Sequence, residues 1–247
     1  MCGITGFIGN WSLELAQAMT DAIAHRGPDG SGLWSDDGIA LGHRRLSIID
    51  LTEAAAQPMH SASDRYVLTY NGEIYNFREL RTELEQGGVS FRTGSDTEVL
   101  LELFARDGLA CVERLNGIFA FAVWDRQACT LSLARDHLGV KPLYYAELPG
   151  GFLFASELKP LVLCPDLPRD IDGATVGDHL GFLWTAGDRT MLKSVRKLRP
   201  GRGAERGSGE MYSLWRRAAQ RRRRSLLAVS GGVLRGGRHP LRALPGR

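Results

Sequence analysis

The stretch from residue 118 to residue 155 constrains the fold most. Four runs rich in apolar, aromatic and β-branched residues follow one another there, at 118–124, 131–134, 143–145 and 152–155. Only polar or Gly-containing turns separate them, too short for the helical crossover that parallel pairing requires. Hairpins and a predominantly antiparallel sheet are expected. Upstream, 4–8, 39–41, 46–49 and 66–70 also read as strands, and 25–32, with Pro28 among glycines, reads as turn chemistry.

Helix signals lie between the strand signals. Ser12 opens an amphipathic run through Leu13, Leu15, Ala16, Met19 and Ile23. Asn76 with Glu79, and Ser95 with Glu98, each fit a capping box ahead of an apolar run. The class is α+β.

Composition narrows the setting. Of 247 residues, 43% are hydrophobic and 24% charged, the profile of a globular protein rather than a fibrous or disordered one. No run approaches the ~18 apolar residues of a membrane span, and no basic-then-apolar leader opens the chain. A cytoplasmic protein is expected. Residues 201–247 hold 12 Arg and 2 Glu, so this segment carries +10 of a formal total of +3 and residues 1–200 carry −7. One domain over 2–200 followed by an irregular, basic Arg/Gly-rich tail over 201–247 is expected. Nucleic-acid binding by Arg221 to Arg224 is disfavoured, since no aromatic residues interleave the run. Cys2, Cys111, Cys129 and Cys164 form no C-x-x-C pair, so a thiolate metal site is not expected, and the last three read as buried free thiols.

Cys2 reads differently. With Met1 removed, its thiol shares a residue with an α-amine of reference pKa about 7.7–8.0, which can take the thiol proton near neutrality. Asn71-Gly72 reads either as a tight hairpin turn or as two N–H donors converging on an oxyanion. Asp96 sits in the first turn behind Ser95, suited to the helix dipole or to an ammonium ligand. Arg45, at a strand start, suits a bidentate carboxylate contact or a solvated strand end. Each is ambiguous alone.

Together they lie in a run of motifs. Met1-Cys2-Gly3-Ile4, HRGPDGSG at 25–32, GHRRLSIIDL at 42–51, QPM at 57–59, YNGEIYNFREL at 70–80, TGSDTEVL at 93–100, LNGIFAFAVWD at 115–125, ARDHLGVKPLYY at 134–145 and FASELKPL at 154–161 resemble glutamine-hydrolysing asparagine synthetase. The resemblance runs from Cys2 to about Gly201. It implies the class II glutamine amidotransferase domain of the N-terminal nucleophile hydrolases, a four-layer α/β/β/α sandwich of two antiparallel sheets between helices. It further implies Cys2 as nucleophile and Asn71 with Gly72 as oxyanion hole. Arg45 would hold the α-carboxylate of glutamine, and Asp96 with Glu73 its α-ammonium. Leu46, Ser47, Ile48 and Ile49 would complete the glutamine site.

Glutamine hydrolysis to glutamate and ammonia is the implied reaction, with no metal or cofactor. ATP and Mg belong to the synthetase domain of complete relatives, which this chain ends too early to contain. Ala228-Val229-Ser230-Gly231-Gly232 has the outline of a pyrophosphate loop, but Leu234 and Arg235 stand where such a loop has aspartate and serine. The tail reads as a frame-disrupted or truncated continuation. The alternatives are a non-catalytic remnant and a subunit supplying ammonia to a separate synthetase chain.

Overall fold

The computed structural model describes residues 1–47, 50–206 and 211–212. In chain order these form β1 (Gly3–Gly9), α1 (Leu13–Asp21), β2 (Gly30–Asp36), β3 (Ile39–Arg45), β4 (Met59–His60), β5 (Tyr66–Ile74), α2 (Phe77–Gln86), α3 (Asp96–Asp107), β6 (Gly117–Asp125), β7 (Thr130–Arg135), β8 (Tyr144–Leu148), β9 (Gly151–Ala155), α4 (Leu158–Val162), α5 (Gly173–Phe182), β10 (Val195–Lys197), β11 (Arg202–Arg206) and β12 (Met211–Tyr212). One six-stranded sheet has the order β10-β8-β9-β1-β3-β2, the other β12-β11-β7-β6-β5-β4. Neighbouring strands in both are antiparallel.

The two-residue period of the strands sorts the core into three layers. Along β6, Phe119, Phe121 and Val123 pack with Leu100, Leu103 and Phe104 of α3. Ala120, Ala122 and Trp124 point the other way, into a second layer with Phe152 and Phe154 of β9. Leu153 and Ala155 of β9 in turn join Met19 of α1 and Leu161 of α4 in a third. The middle layer lies between the sheets and the outer two lie under helices, which is the expected α/β/β/α sandwich. Phe119 and Phe121 are fully buried, and truncating either to alanine would cost about 3–5 kcal/mol.

Several local expectations are corrected. Residues 46 and 47 do not extend a strand: β3 ends at Arg45, and their two N–H groups go to Cys2 and Asp29 instead of to a neighbouring strand. The supposed turn at 25–32 gives way to β2 at Gly30, and Gly32 serves close approach, since a Cβ there would lie 1.9 Å from the Gln57 carbonyl oxygen. The run at 143–145 forms a strand one residue later, over β8. Ser95 caps α3 through Glu98 N–H at 3.3 Å. Asn76 makes no such cap; its side chain donates to the Arg114 carbonyl and accepts from Asn116 N–H. Cys111 and Cys164 are buried, whereas Cys129 is exposed.

The second sheet also runs past the composition change, because β11 pairs with β7 from Arg202↔Arg135 to Arg206↔Leu131. Ile48, Ile49, Arg221 to Arg224 and the loop at 228–233 lie outside the described residues.

Candidate active site

The site forms where the two sheets meet. β1 pairs with β3 through Gly3↔Arg44, so the chain leaving β3 passes beside Cys2. Leu46 N–H donates to Cys2 Sγ at 3.3 Å, and the Leu46 carbonyl lies 3.5 Å from the same sulfur. Arg26 steadies the segment, giving Nε–H to the Cys2 carbonyl at 2.9 Å and Nη1–H to Glu157 at 2.9 Å.

β5 supplies the donors opposite. It pairs with β6 along its whole length but with β4 only at Leu68 and Val67, so from Thr69 onward one edge has no strand beside it among the described residues. Tyr70 N–H and Ile74 N–H both turn to that edge, where they meet Gln57 Oε1 at 2.6 Å and Asp96 Oδ2 at 3.1 Å. Phe119, opposite Gly72, sends its own N–H and carbonyl to Asp136. Gly72 N–H therefore points to the open edge as well, since strand parity repeats every second residue. Beside it, Asn71 Nδ2 is buried without a hydrogen-bond partner among the described residues. Native proteins pair most buried donors with protein groups or ordered water, so this donor is a candidate for substrate contact. Asn71-Gly72 lies within β5, not in a hairpin turn.

Charged groups frame the cleft. Arg45 donates Nη1–H to the Thr52 carbonyl at 2.9 Å and Nη2–H to the Asp50 carbonyl at 2.5 Å, which fixes the guanidinium in place. Asp50 Oδ2 accepts Gly94 N–H at 3.0 Å, tying this loop to the approach to α3. Bonds from the Thr52 hydroxyl and N–H hold the Asp50 carboxyl below its usual range. Asp96, at the start of α3, is buried and accepts the Tyr70 hydroxyl at 2.8 Å. Burial raises its pKa against these hydrogen bonds.

The cleft has a volume of about 110 Å³ and brings together Cys2, Arg45, Leu46, Ser47, Asn71, Gly72, Glu73 and Asp96. Tyr70, Gln57, Asp50 and Lys141 line it too and were not singled out from sequence. All four fall inside motifs quoted for the resemblance, so position within a motif was the available signal. Lys141 is buried and comes from a loop shaped by Asp136, whose carboxylate accepts the N–H groups of Leu138, Val140 and Lys141 at 3.1, 2.9 and 3.0 Å. Among the described residues no group of three or more His, Cys, Asp or Glu could hold a metal ion, and no helix is long and apolar enough to cross a membrane.

Two facing antiparallel sheets between helices, with a cysteine leading into a central strand, define the N-terminal nucleophile hydrolase fold. Within that class the chain belongs to the glutamine amidotransferase domain family, whose model matches residues 1–215. It is 39% identical over 225 residues to asparagine synthetase [glutamine-hydrolyzing] 3 of Bacillus subtilis, covering 87% of this chain and 36% of that one. It is 44% identical over 168 residues to asparagine synthetase B [glutamine-hydrolyzing] of Escherichia coli, covering 66% of this chain and 30% of that one. The chain thus spans about a third of the length of these curated relatives. The glutamine phosphoribosylpyrophosphate amidotransferase of B. subtilis shares the fold, with a TM-score of 0.66 at 22% identity over 86% of this chain and 48% of that one.

Proposed function

We propose that the cleft hydrolyses glutamine to glutamate and ammonia, with Cys2 as nucleophile once Met1 is removed. Met1 is 58% exposed and so open to an aminopeptidase. The freed α-amine takes the thiol proton, and Sγ bonds to the side-chain carboxamide carbon of glutamine. The carboxamide oxygen becomes an oxyanion held by Asn71 Nδ2–H and Gly72 N–H. The α-ammonium then returns the proton to the departing nitrogen, the C–N bond breaks, and ammonia leaves a thioester on Cys2. Water attacks the thioester, giving up a proton through the same amine, and glutamate departs as Sγ regains its hydrogen.

Arg45 faces the substrate α-carboxylate, and Asp96 with Glu73 the α-ammonium, while Leu46 and Ser47 border the bound amino acid. These steps use no cofactor; ATP and Mg belong to activation of the ammonia acceptor in the complete relatives. By the names of those relatives the acceptor reaction is asparagine synthesis, carried by a synthetase part or chain beyond the residues described, in the cytoplasm.

The observation that carries the reading is the unpartnered, buried Asn71 Nδ2 in the cleft that holds Cys2. Intact mass after treatment with a glutamine-like electrophile, alongside ammonia release from glutamine, tests it. Loss of Met1, one adduct absent from Cys2→Ala, and ammonia release are expected. A folded protein that retains Met1 and releases no ammonia would overturn the assignment.

A further inference from the structure

Tyr70 precedes the two proposed oxyanion donors, and both of its backbone groups are gripped by side chains from other elements. Its N–H donates to Gln57 Oε1 at 2.6 Å, and its carbonyl lies 3.1 Å from His43 Nε2. These bonds stand where a strand would otherwise be. β4 pairs Met59 with Leu68, so continuing that register would set residue 57 opposite Tyr70. The ladder stops because the Gln57 carbonyl is turned against Gly32 of β2. The Gln57 side-chain oxygen takes the place of the backbone acceptor. Its Nε2 reaches Thr97 Oγ1 at 3.4 Å, on the first turn of α3.

His43 approaches from β3, in the other sheet. It is buried, and burial lowers its pKa to about 4, opposed by the Tyr70 carbonyl and assisted by Arg45. The ring is therefore neutral near pH 7, and its one N–H serves the Tyr70 carbonyl. The same Tyr70 also holds Asp96 through its hydroxyl.

We propose that Gln57 and His43 are positioning residues that set the oxyanion hole, by clamping the backbone of Tyr70 and so fixing Asn71 Nδ2 and Gly72 N–H relative to Cys2. The inference rests on the glutaminase reading above. A misplacement of about 1 Å in such a site costs on the order of 100-fold in rate. Oxyanion donors act in the transition state rather than on bound substrate, so loosening the clamp lowers kcat and leaves KM nearly unchanged.

The test compares Gln57→Leu, His43→Leu, His43→Gln and the milder Gln57→Asn with the wild-type chain. Glutaminase kcat and KM are measured beside the rate at which iodoacetamide alkylates Cys2, a displacement at saturated carbon that forms no oxyanion. The leucine variants are expected to lose about 10–100-fold in kcat, with KM within about 3-fold and alkylation within about 2-fold of wild type. His43→Gln, which keeps an N–H for the carbonyl, is expected to recover most of the loss. Gln57→Asn, whose shorter arm withdraws from Tyr70, should lose about 10-fold even if the leucine variants do not fold. Unchanged kcat in Gln57→Asn or in the folded leucine variants would overturn the clamp, as would a kcat that falls in step with alkylation. A wild-type chain that is alkylated at Cys2 but releases no ammonia would instead overturn the glutaminase reading.

Discussion

The backbone of Leu46 brackets the sulfur of Cys2, with its N–H donating to Sγ at 3.3 Å and its carbonyl 3.5 Å from it. The thiol is thereby held at the mouth of β1 by the segment that leaves β3, and its replacement leaves the pairing of β1 with β3 intact. Cys2→Ala is expected to abolish ammonia release, by more than about 10⁴-fold, while the protein stays folded. Ammonia release within tenfold of wild type would show that another group is the nucleophile.

Asn71 Nδ2 has no partner among the described residues, so its N–H is expected to contribute little to stability and much to the reaction. Asn71→Leu is expected to lower kcat by about 10²–10³-fold with little change in KM. Because it removes a buried unsatisfied donor, it should raise the free energy of unfolding by about 1 kcal/mol. Urea titration beside steady-state kinetics checks both halves.

A methyl group at position 72 would meet backbone, not a side chain that can swing away. The Cβ of Gly72→Ala would lie 2.4 Å from the Ile118 carbonyl oxygen and 2.8 Å from Phe119 Cα. β5 must then shift from β6, at a cost of about 1–3 kcal/mol, and the Gly72 N–H shifts with it. Loss of both stability and kcat is expected, and a fully active Gly72→Ala would argue that this N–H is not a transition-state donor.

Burial raises the Asp96 pKa, and its ionised form is the one that holds an ammonium. The glutamine KM should therefore climb as pH falls, beginning above the ordinary carboxylate range, when profiled between about pH 5 and 8. The stability sign is opposite. A carboxyl with a raised folded-state pKa favours the native state when protonated, and that advantage is lost as pH rises. Asp96→Asn should bind glutamine poorly, with a KM no longer dependent on pH in this window, yet be the more stable protein at neutral pH.

His43 has the reverse linkage. Its folded pKa, lowered to about 4 from 6.5 by burial, means that the unfolded chain takes up this proton first as pH falls. Unfolding free energy should decline between about pH 6.5 and 4, by roughly 3 kcal/mol from this residue. His43→Gln should flatten that part of the pH–stability profile measured by chemical denaturation.

Sequence patterns that depend on near neighbours were legible. The hairpins of residues 117–155, the Ser95 cap and the helices after 12, 76 and 95 all follow from local periodicity and turn chemistry. Where a distant partner competes, the local reading failed. Asn76 gave up its cap for the 114–116 turn. Glu98 turned its carboxylate to the N–H groups of Arg92 and Thr93. Residues 46 and 47 left the sheet for Cys2 and Asp29. For the cleft, motif resemblance named Cys2, Arg45, Leu46, Ser47, Asn71, Gly72, Glu73 and Asp96, but passed over Tyr70, Gln57, Asp50 and Lys141, and His43 behind Tyr70.

The chain's order of apolar, turn and capping residues is enough to specify an antiparallel α+β sandwich and to mark a cysteine, an Asn-Gly pair and an Asp as chemically interesting. Periods of 2 and 3.6 residues are local properties and can be read without coordinates. Which face of β5 opens to the cleft was decided only by packing. Beyond Leu68 no described strand lies on that edge, because the Gln57 carbonyl turns to Gly32. Asn71 Nδ2 is buried without a partner among the described residues. Hydrogen-bond satisfaction of a buried donor depends on every group packed around it, and most of those groups are remote in the chain.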